Sequence, residues 1–252
     1  MRNALLGAVM GLLIAGPALA QHEEMKLPQQ SWSFNGPFGT YDRASMQRGF
    51  QVYNEVCSNC HGMKQLYYRN LTGIGLSEEQ VKLIAASKEI SGDTDESGQP
   101  KDRVALPSDH FKAPFANEKA ARAANAGALP PDQSLIIKAR GDGSNYVYNL
   151  LNGYEEAPVG VKVGDGQYYN KWFPGHQLAM PSPLRDGAVT YVDGTPATVD
   201  QMSRDVVQFL TWAAMPEMET RKRMGVKWVS IFVMLTGLTY VVKKRIWKDV
   251  TH

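Results

Sequence analysis

Cysteine is almost absent from this chain of 252 residues: there are two, Cys57 and Cys60, in one short stretch. That scarcity excludes several designs. No second Cys pair exists to complete a four-ligand zinc site. No thiol is left over to staple distant segments by a disulfide, and a bridge between these two neighbours would have poor geometry. A thioredoxin-like redox pair needs βαβ surroundings, whereas the residues before Cys57 carry helical spacing. Long apolar runs are equally scarce. There are two, one near each end, and no internal repeat lies between them.

What is there is Cys57-Ser58-Asn59-Cys60-His61, the spacing of a c-type haem attachment site. Each thiol can add across one porphyrin vinyl group, and the adjacent imidazole can serve as the proximal iron ligand. The motif therefore predicts one covalently attached haem c.

The apolar runs divide the chain. Arg2, the stretch Leu5 to Ile14 and Ala18-Leu19-Ala20 form the three parts of a signal peptide over residues 1–20. Covalent haem attachment after export fits that leader. At the other end, residues 224–242 are interrupted only by Lys227 and are long enough to cross a bilayer. Lys227 can snorkel to the interface, and Trp228 and Tyr240 lie near the two ends, as aromatic belts do. Four basic residues on each flank leave the orientation open by charge, so the leader decides it. The predicted organisation is signal peptide 1–20, periplasmic haem domain 21–223, transmembrane anchor 224–242 and cytoplasmic tail 243–252. The formal charge of the whole chain is +2. Residues 21–220 hold 18 Lys/Arg against 24 Asp/Glu, a net of −6. An acidic exported body disfavours nucleic acid and suits a basic partner.

Along the body, the arm from Gln21 to Asp42 is rich in Pro, Gly and aromatics and is expected to wrap the surface. Helices are expected over Ser45 to Cys57, with Gly49 allowing another helix close, over Leu76 to Ser87, Asn117 to Ala128, Asp132 to Ala139 with Asp132 as its N-cap, Ser144 to Leu151 and Val199 to Met215. Ser91 to Asp102 is polar, acidic and Gly-rich and reads as an exposed loop. The fold class is mainly α: a class I cytochrome c-like haem domain with long loop insertions plus one C-terminal transmembrane helix.

The second axial ligand decides the chemistry, because an open iron allows ligand or peroxide chemistry and a filled one restricts it to electron transfer. Met180 lies in Leu178-Ala179-Met180-Pro181-Ser182-Pro183, where flanking prolines stiffen the chain. Met63 is too close to His61 to reach the other face, and Met202 lies on an apolar helix stripe. His110 and His176 stay as competing ligands. Arg122 could pair with a haem propionate.

Beyond the haem motif, the chain resembles the cytochrome c1 family, the haem subunits of quinol–cytochrome c oxidoreductase (bc1) complexes. The resemblance runs through Trp32-Ser33-Phe34-Asn35-Gly36-Pro37-Phe38, Arg48 to Tyr53, Ala120-Ala121-Arg122-Ala123-Ala124-Asn125 to Asp132, Leu178 to Pro181 and Arg221 to Gly225. It implies His61 and Met180 as the axial pair, Cys57 and Cys60 as the haem anchors and Arg122 beside a propionate. Some bacterial members add a body disulfide for which this chain has no cysteines. The resemblance further implies a subunit not catalytic alone, in the bacterial inner membrane. It would stand beside cytochrome b, take electrons from the Rieske iron–sulfur protein and give them to a soluble or membrane-tethered periplasmic cytochrome c. Glu78, Glu79, Asp93, Asp95 and Glu96 are the acidic residues expected to attract that acceptor. The alternatives are a membrane-tethered cytochrome c of another respiratory complex, and a haem sensor or peroxidase with an open iron.

Overall fold

The computed structural model describes residues 26–94, 97–98 and 100–249. The expected leader, Asp95 and Glu96 lie outside the described residues, and Asp93 has no described side chain.

Two helices form the centre of the body. α1 is Arg43–Glu55, capped by Asp42, whose carboxylate accepts from the Ser45 N–H. The side-chain oxygen of Thr198 starts another helix, Val199–Ala214, in the same way. Between them in sequence come Glu78–Ala86 (α2), Glu118–Ala124 (α3) and Gly143–Asn152 (α4), so Val199–Ala214 is α5. α1 crosses α5 at Gly49. A Cβ there would lie 1.9 Å from the Asp205 carbonyl oxygen and 2.9 Å from the Phe209 Cβ. Glycine is what lets the backbones meet, as the sequence suggests.

Arg48 seals the crossing. Its guanidinium donates to both oxygens of the wholly buried Asp205 carboxylate at 2.9 and 3.0 Å, the geometry that satisfies a buried charge. Phe50, Tyr53, Phe111 and Phe209 interlock beside it, mostly edge to face, an arrangement aromatic quadrupoles favour. α4 lies against the other side of α5. A reciprocal Ser77–Gln80 capping box starts α2, which rests on a 3₁₀ segment, Tyr68–Ile74.

Three expectations change. Ser91 to Asp102 is not simply loop. β1 (Glu89–Thr94) and β2 (Pro100–Val104) pair antiparallel across most of it. The hairpin is held by backbone pairing, which a polar, Gly-rich sequence does not advertise. Residues 132–139 form turns and no helix. The Asp132 carboxylate does accept a cap-type bond, from Ser134 N–H at 2.9 Å, and its other oxygen accepts from Lys64 N–H at 2.9 Å, but the turns that follow do not run on into a helix. The arm at 26–42 has no helix or strand, but it does more than wrap the surface: Trp32, Phe34 and Tyr41 are buried in the core. The Trp32 indole donates to Asn145 Oδ1 of α4 at 2.9 Å.

After Pro216 the chain enters α6, Met218–Ile246, which is 29 residues long. It is the one helix among the described residues long and apolar enough to cross a membrane, and none of its apolar window is buried in the protein. Its root is tied to the arm. The Glu219 carboxylate accepts from Tyr41 N–H and Arg43 Nη2, each at 2.7 Å, and Lys222 Nζ donates to the Phe34 and Gly39 carbonyls.

Candidate functional site

α1 stops at Glu55, and a single 3₁₀ turn, Cys57–Asn59, follows. Cys60 N–H and His61 N–H both donate to the Cys57 carbonyl, at 3.1 and 2.9 Å. One turn thus presents both thiols and the imidazole. Burial pushes the Cys57 thiol up to about 12, so it stays protonated and is not a ready thiolate nucleophile. Cys60 is exposed.

His61 is oriented from across the chain. Its Nδ1 lies 2.8 Å from the Pro131 carbonyl oxygen. A carbonyl only accepts, so Nδ1 carries the proton and Nε2 keeps its lone pair. This is the arrangement that second-shell carbonyls impose on metal-binding histidines. Burial lowers the imidazole's affinity for a second proton, outweighing the Pro131 contact and nearby Asp132. Three further bonds hold the two segments together. Gln133 N–H donates to Gly62 O at 2.8 Å, Lys64 N–H to the Asp132 carboxylate at 2.9 Å and Gln65 N–H to Ser134 Oγ at 3.0 Å. From α1, the Tyr53 hydroxyl donates to the His61 carbonyl at 3.2 Å.

Met180 lies on a separate loop, half-exposed between the buried Leu178 and Leu184. That loop follows a small sheet in which β3 (Tyr168–Tyr169) pairs with β4 (Gln177–Leu178). The Tyr154 hydroxyl donates to the Met180 carbonyl at 3.0 Å. Other methionines have different surroundings. Met46, Met63 and Met202 are wholly buried in the core, while Met224 and Met234 are exposed on α6.

The competing histidines have neighbours of their own. His110 packs against Tyr67, the ring centroids 3.9 Å apart and the planes tilted by 31°. His176 lies over Tyr169, with centroids 5.7 Å apart. Arg122 is exposed on α3 and donates one N–H to the Gly127 carbonyl at 3.0 Å, closing the end of its own helix. The structure therefore brings Cys57, Cys60 and His61 together and sets Met180 on its own tethered loop. It gives Arg122 a local capping bond. Pro131, Asp132 and Tyr154 were missed as site-building residues. Pro130-Pro131-Asp132 marks a stiff segment, but nothing in the spacing pairs it with His61 or pairs Tyr154 with Met180.

The donor set fits a c-type haem. Two thiols on one turn, an imidazole with a free Nε2 and a thioether are what such a group uses. Among the described residues, no three or more His, Cys, Asp or Glu side chains converge as a metal site of their own.

Residues 32–250 match the Cytochrome C1 family profile. The chain belongs to the cytochrome c1 family. It is 46% identical over 267 positions to "Cytochrome c1" of Rhodospirillum rubrum, covering 100% of this chain and 98% of that one. It is 49% identical to "Cytochrome c1-2, heme protein, mitochondrial" of Solanum tuberosum, covering 91% and 89%. It is 45% identical to "Cytochrome b-c1 complex catalytic subunit, mitochondrial" of Candida albicans, covering 89% and 78%. A cytochrome c1 built as a mainly helical body, long loops and one apolar C-terminal helix agrees with the fold above.

Proposed function

We propose that this chain carries one covalent haem c and is the electron-transfer subunit of a quinol–cytochrome c oxidoreductase. The observation that carries the reading is the His61 imidazole, held at Nδ1 by Pro131 and free at Nε2, on the same turn as both thiols. Cys57 and Cys60 would form the thioether bonds, and His61 Nε2 and Met180 Sδ the axial bonds. When bound, the haem supplies a one-electron iron couple, by which an electron from a Rieske iron–sulfur protein reaches a soluble or membrane-tethered cytochrome c.

The chain's own residues do the positioning. Pro131 fixes the imidazole tautomer, Asp132 and Gln133 hold the loop after the motif, and buried Tyr53 closes its inner side. Arg122 spends one of its guanidinium N–H donors on Gly127, and its place beside a propionate is carried by the resemblance alone. The relative named as a b-c1 complex subunit supports cytochrome b as the membrane partner. The exposed α6 supports a single-pass anchor. The reading places the leader at 1–20, the haem domain at 21–223 on the periplasmic side of a bacterial inner membrane, the span at 224–242 and the tail at 243–252. Glu78 and Glu79, in the exposed first turn of α2, would steer a basic acceptor.

The test is the spectrum and midpoint potential of the native protein beside Met180→Leu. Loss of the thioether is expected to lower the potential by about a few hundred millivolts and to open the reduced iron to carbon monoxide. A variant identical to native would move the sixth ligand elsewhere and reopen His110 and His176.

A further inference from the structure

We infer that Tyr154 is a positioning residue for Met180, fastening the backbone of the thioether residue to the rigid end of α4. The inference rests on the assignment of Met180 as the second axial ligand made above.

Tyr154 directly follows Gly153, whose N–H bonds the Leu150 carbonyl and ends α4. That end is tightly built. Asn170, wholly buried, donates its side-chain N–H to the Leu150 carbonyl at 2.7 Å and accepts from Trp172 N–H at 3.0 Å. Its backbone pairs antiparallel with Tyr154. A Cβ at position 153 would lie 2.6 Å from Asn170 Oδ1 and 2.7 Å from the Trp172 ring, so no other residue fits without displacement. α4 in turn rests on α5, at the centre of the body. The base of Tyr154 is therefore as well fixed as the core itself.

Its hydroxyl reaches the Met180 carbonyl at 3.0 Å. Pro181 has no N–H and biases Met180 to an extended backbone. Holding the carbonyl of the ligand residue itself restrains its backbone, so that more of the thioether's remaining freedom lies in its own side-chain torsions. This matters for a methionine, whose three rotatable bonds otherwise leave it adaptable. Without the hydroxyl, the described loop keeps its prolines, the β3–β4 pairing at Leu178, the Ser182 hydroxyl's bond to the Leu184 carbonyl at 3.3 Å and the burial of Leu178 and Leu184, contacts that lie to either side of Met180.

The experiment uses the full-length holoprotein with Tyr154→Phe, Tyr154→Gln and Met180→Leu made in parallel. Carbon monoxide binding by the reduced form and the methionine–iron charge-transfer band of the oxidised form are recorded with the melting temperature. Tyr154→Phe is expected to keep its haem and melt near the native protein. The share of iron open to carbon monoxide should rise about fivefold to tenfold, the worth of one neutral hydrogen bond, and the band should weaken with it. Tyr154→Gln retains an N–H donor and is expected to recover part of the band. A Tyr154→Phe protein equal to native in both spectra, while Met180→Leu abolishes the band, overturns the inference and leaves the ligand assignment standing. A Met180→Leu protein with an unchanged band overturns the assignment and the inference together. A Tyr154→Phe protein that cannot hold haem or fold makes Tyr154 a packing residue, which also overturns the inference.

Discussion

Where α1 crosses α5, backbone meets backbone over a glycine, and the surrounding residues are aromatic, apolar or paired as Arg48 and Asp205 are. Around His61 and Met180 there is almost no regular structure. Each of the two loops proposed to carry the iron ligands is held by a few hydrogen bonds, several of them between side chains and backbone. The crossing resists change because many groups fill one volume. The loops are precise because a few groups each fix one atom. The first kind of construction sets stability, and on the proposed function the second would set the chemistry of the haem. Substitutions in the two regions should therefore separate stability from redox behaviour.

The largest effect belongs to the crossing. In Gly49→Ala the new methyl would meet a main-chain oxygen at 1.9 Å, which no side-chain rotation relieves. Overpacking of this kind costs about 3 kcal/mol or more when backbone must shift. Urea unfolding should show that loss, while whatever remains folded should keep the native midpoint potential. A shifted potential at equal fold content would mean that the two regions are not separable.

A smaller effect is expected at Asp132. Each carboxylate oxygen accepts one backbone N–H, from Ser134 and from Lys64. Asp132→Asn leaves a single acceptor oxygen, so one N–H loses its partner, at a cost of about 1–2 kcal/mol. Here stability and potential should change together, since the same carboxylate holds the loop that carries the Pro131 contact to His61. Thermal melts read beside redox titrations check this. A stability loss with an unmoved potential would make the loop more rigid than its hydrogen bonds suggest.

The same division governs what could be read in advance. The helices α1, α4 and α5 carry their own signals: apolar periodicity, Asp and Thr caps, and a glycine at the crossing. Their bounds in the structure agree with the periodicity to within a few residues. The haem motif is local, so Cys57, Cys60 and His61 announce themselves. The partners of that motif do not. Pro131 reaches His61 across 70 positions through a carbonyl, a group every residue has. Tyr154 meets Met180 across 26 positions in the same way. Asp132 misled because an acidic residue before an apolar stretch satisfies the cap rule; it does accept from Ser134 N–H, but only turns follow, and its second oxygen ties the segment to Lys64. The β1–β2 hairpin was missed for the opposite reason. Its stabilising bonds are main-chain, and its residues, Gly92 among them, look like those of a loop.

The smallest effect should come from the partly exposed Arg103–Asp109 pair. Asp109 accepts from both terminal nitrogens of Arg103, at 2.6 and 2.7 Å, and from Leu106 N–H at 2.7 Å. The Arg103 hydrogen bonds, with the Leu106 contact, hold its carboxyl down at about 2. A folded-state value below the unfolded one means that the charged form favours the native state. The contribution is complete above the ordinary aspartate range near 4, and it is lost as pH falls through about 2. Asp109→Asn should therefore lower the urea midpoint slightly at pH 6, and the gap to native should close on acidification to pH 2. Solvent screening keeps the effect small. The segment still pairs with the chain after the motif, since Tyr68 N–H donates to the Asp109 carbonyl and Phe111 N–H to the Leu66 carbonyl. That pairing is main-chain and survives the substitution, so the potential should not move. A potential that followed the Asp109 titration would show that redox control extends beyond the two ligand loops, and the boundary between the two kinds of construction would have to be drawn wider.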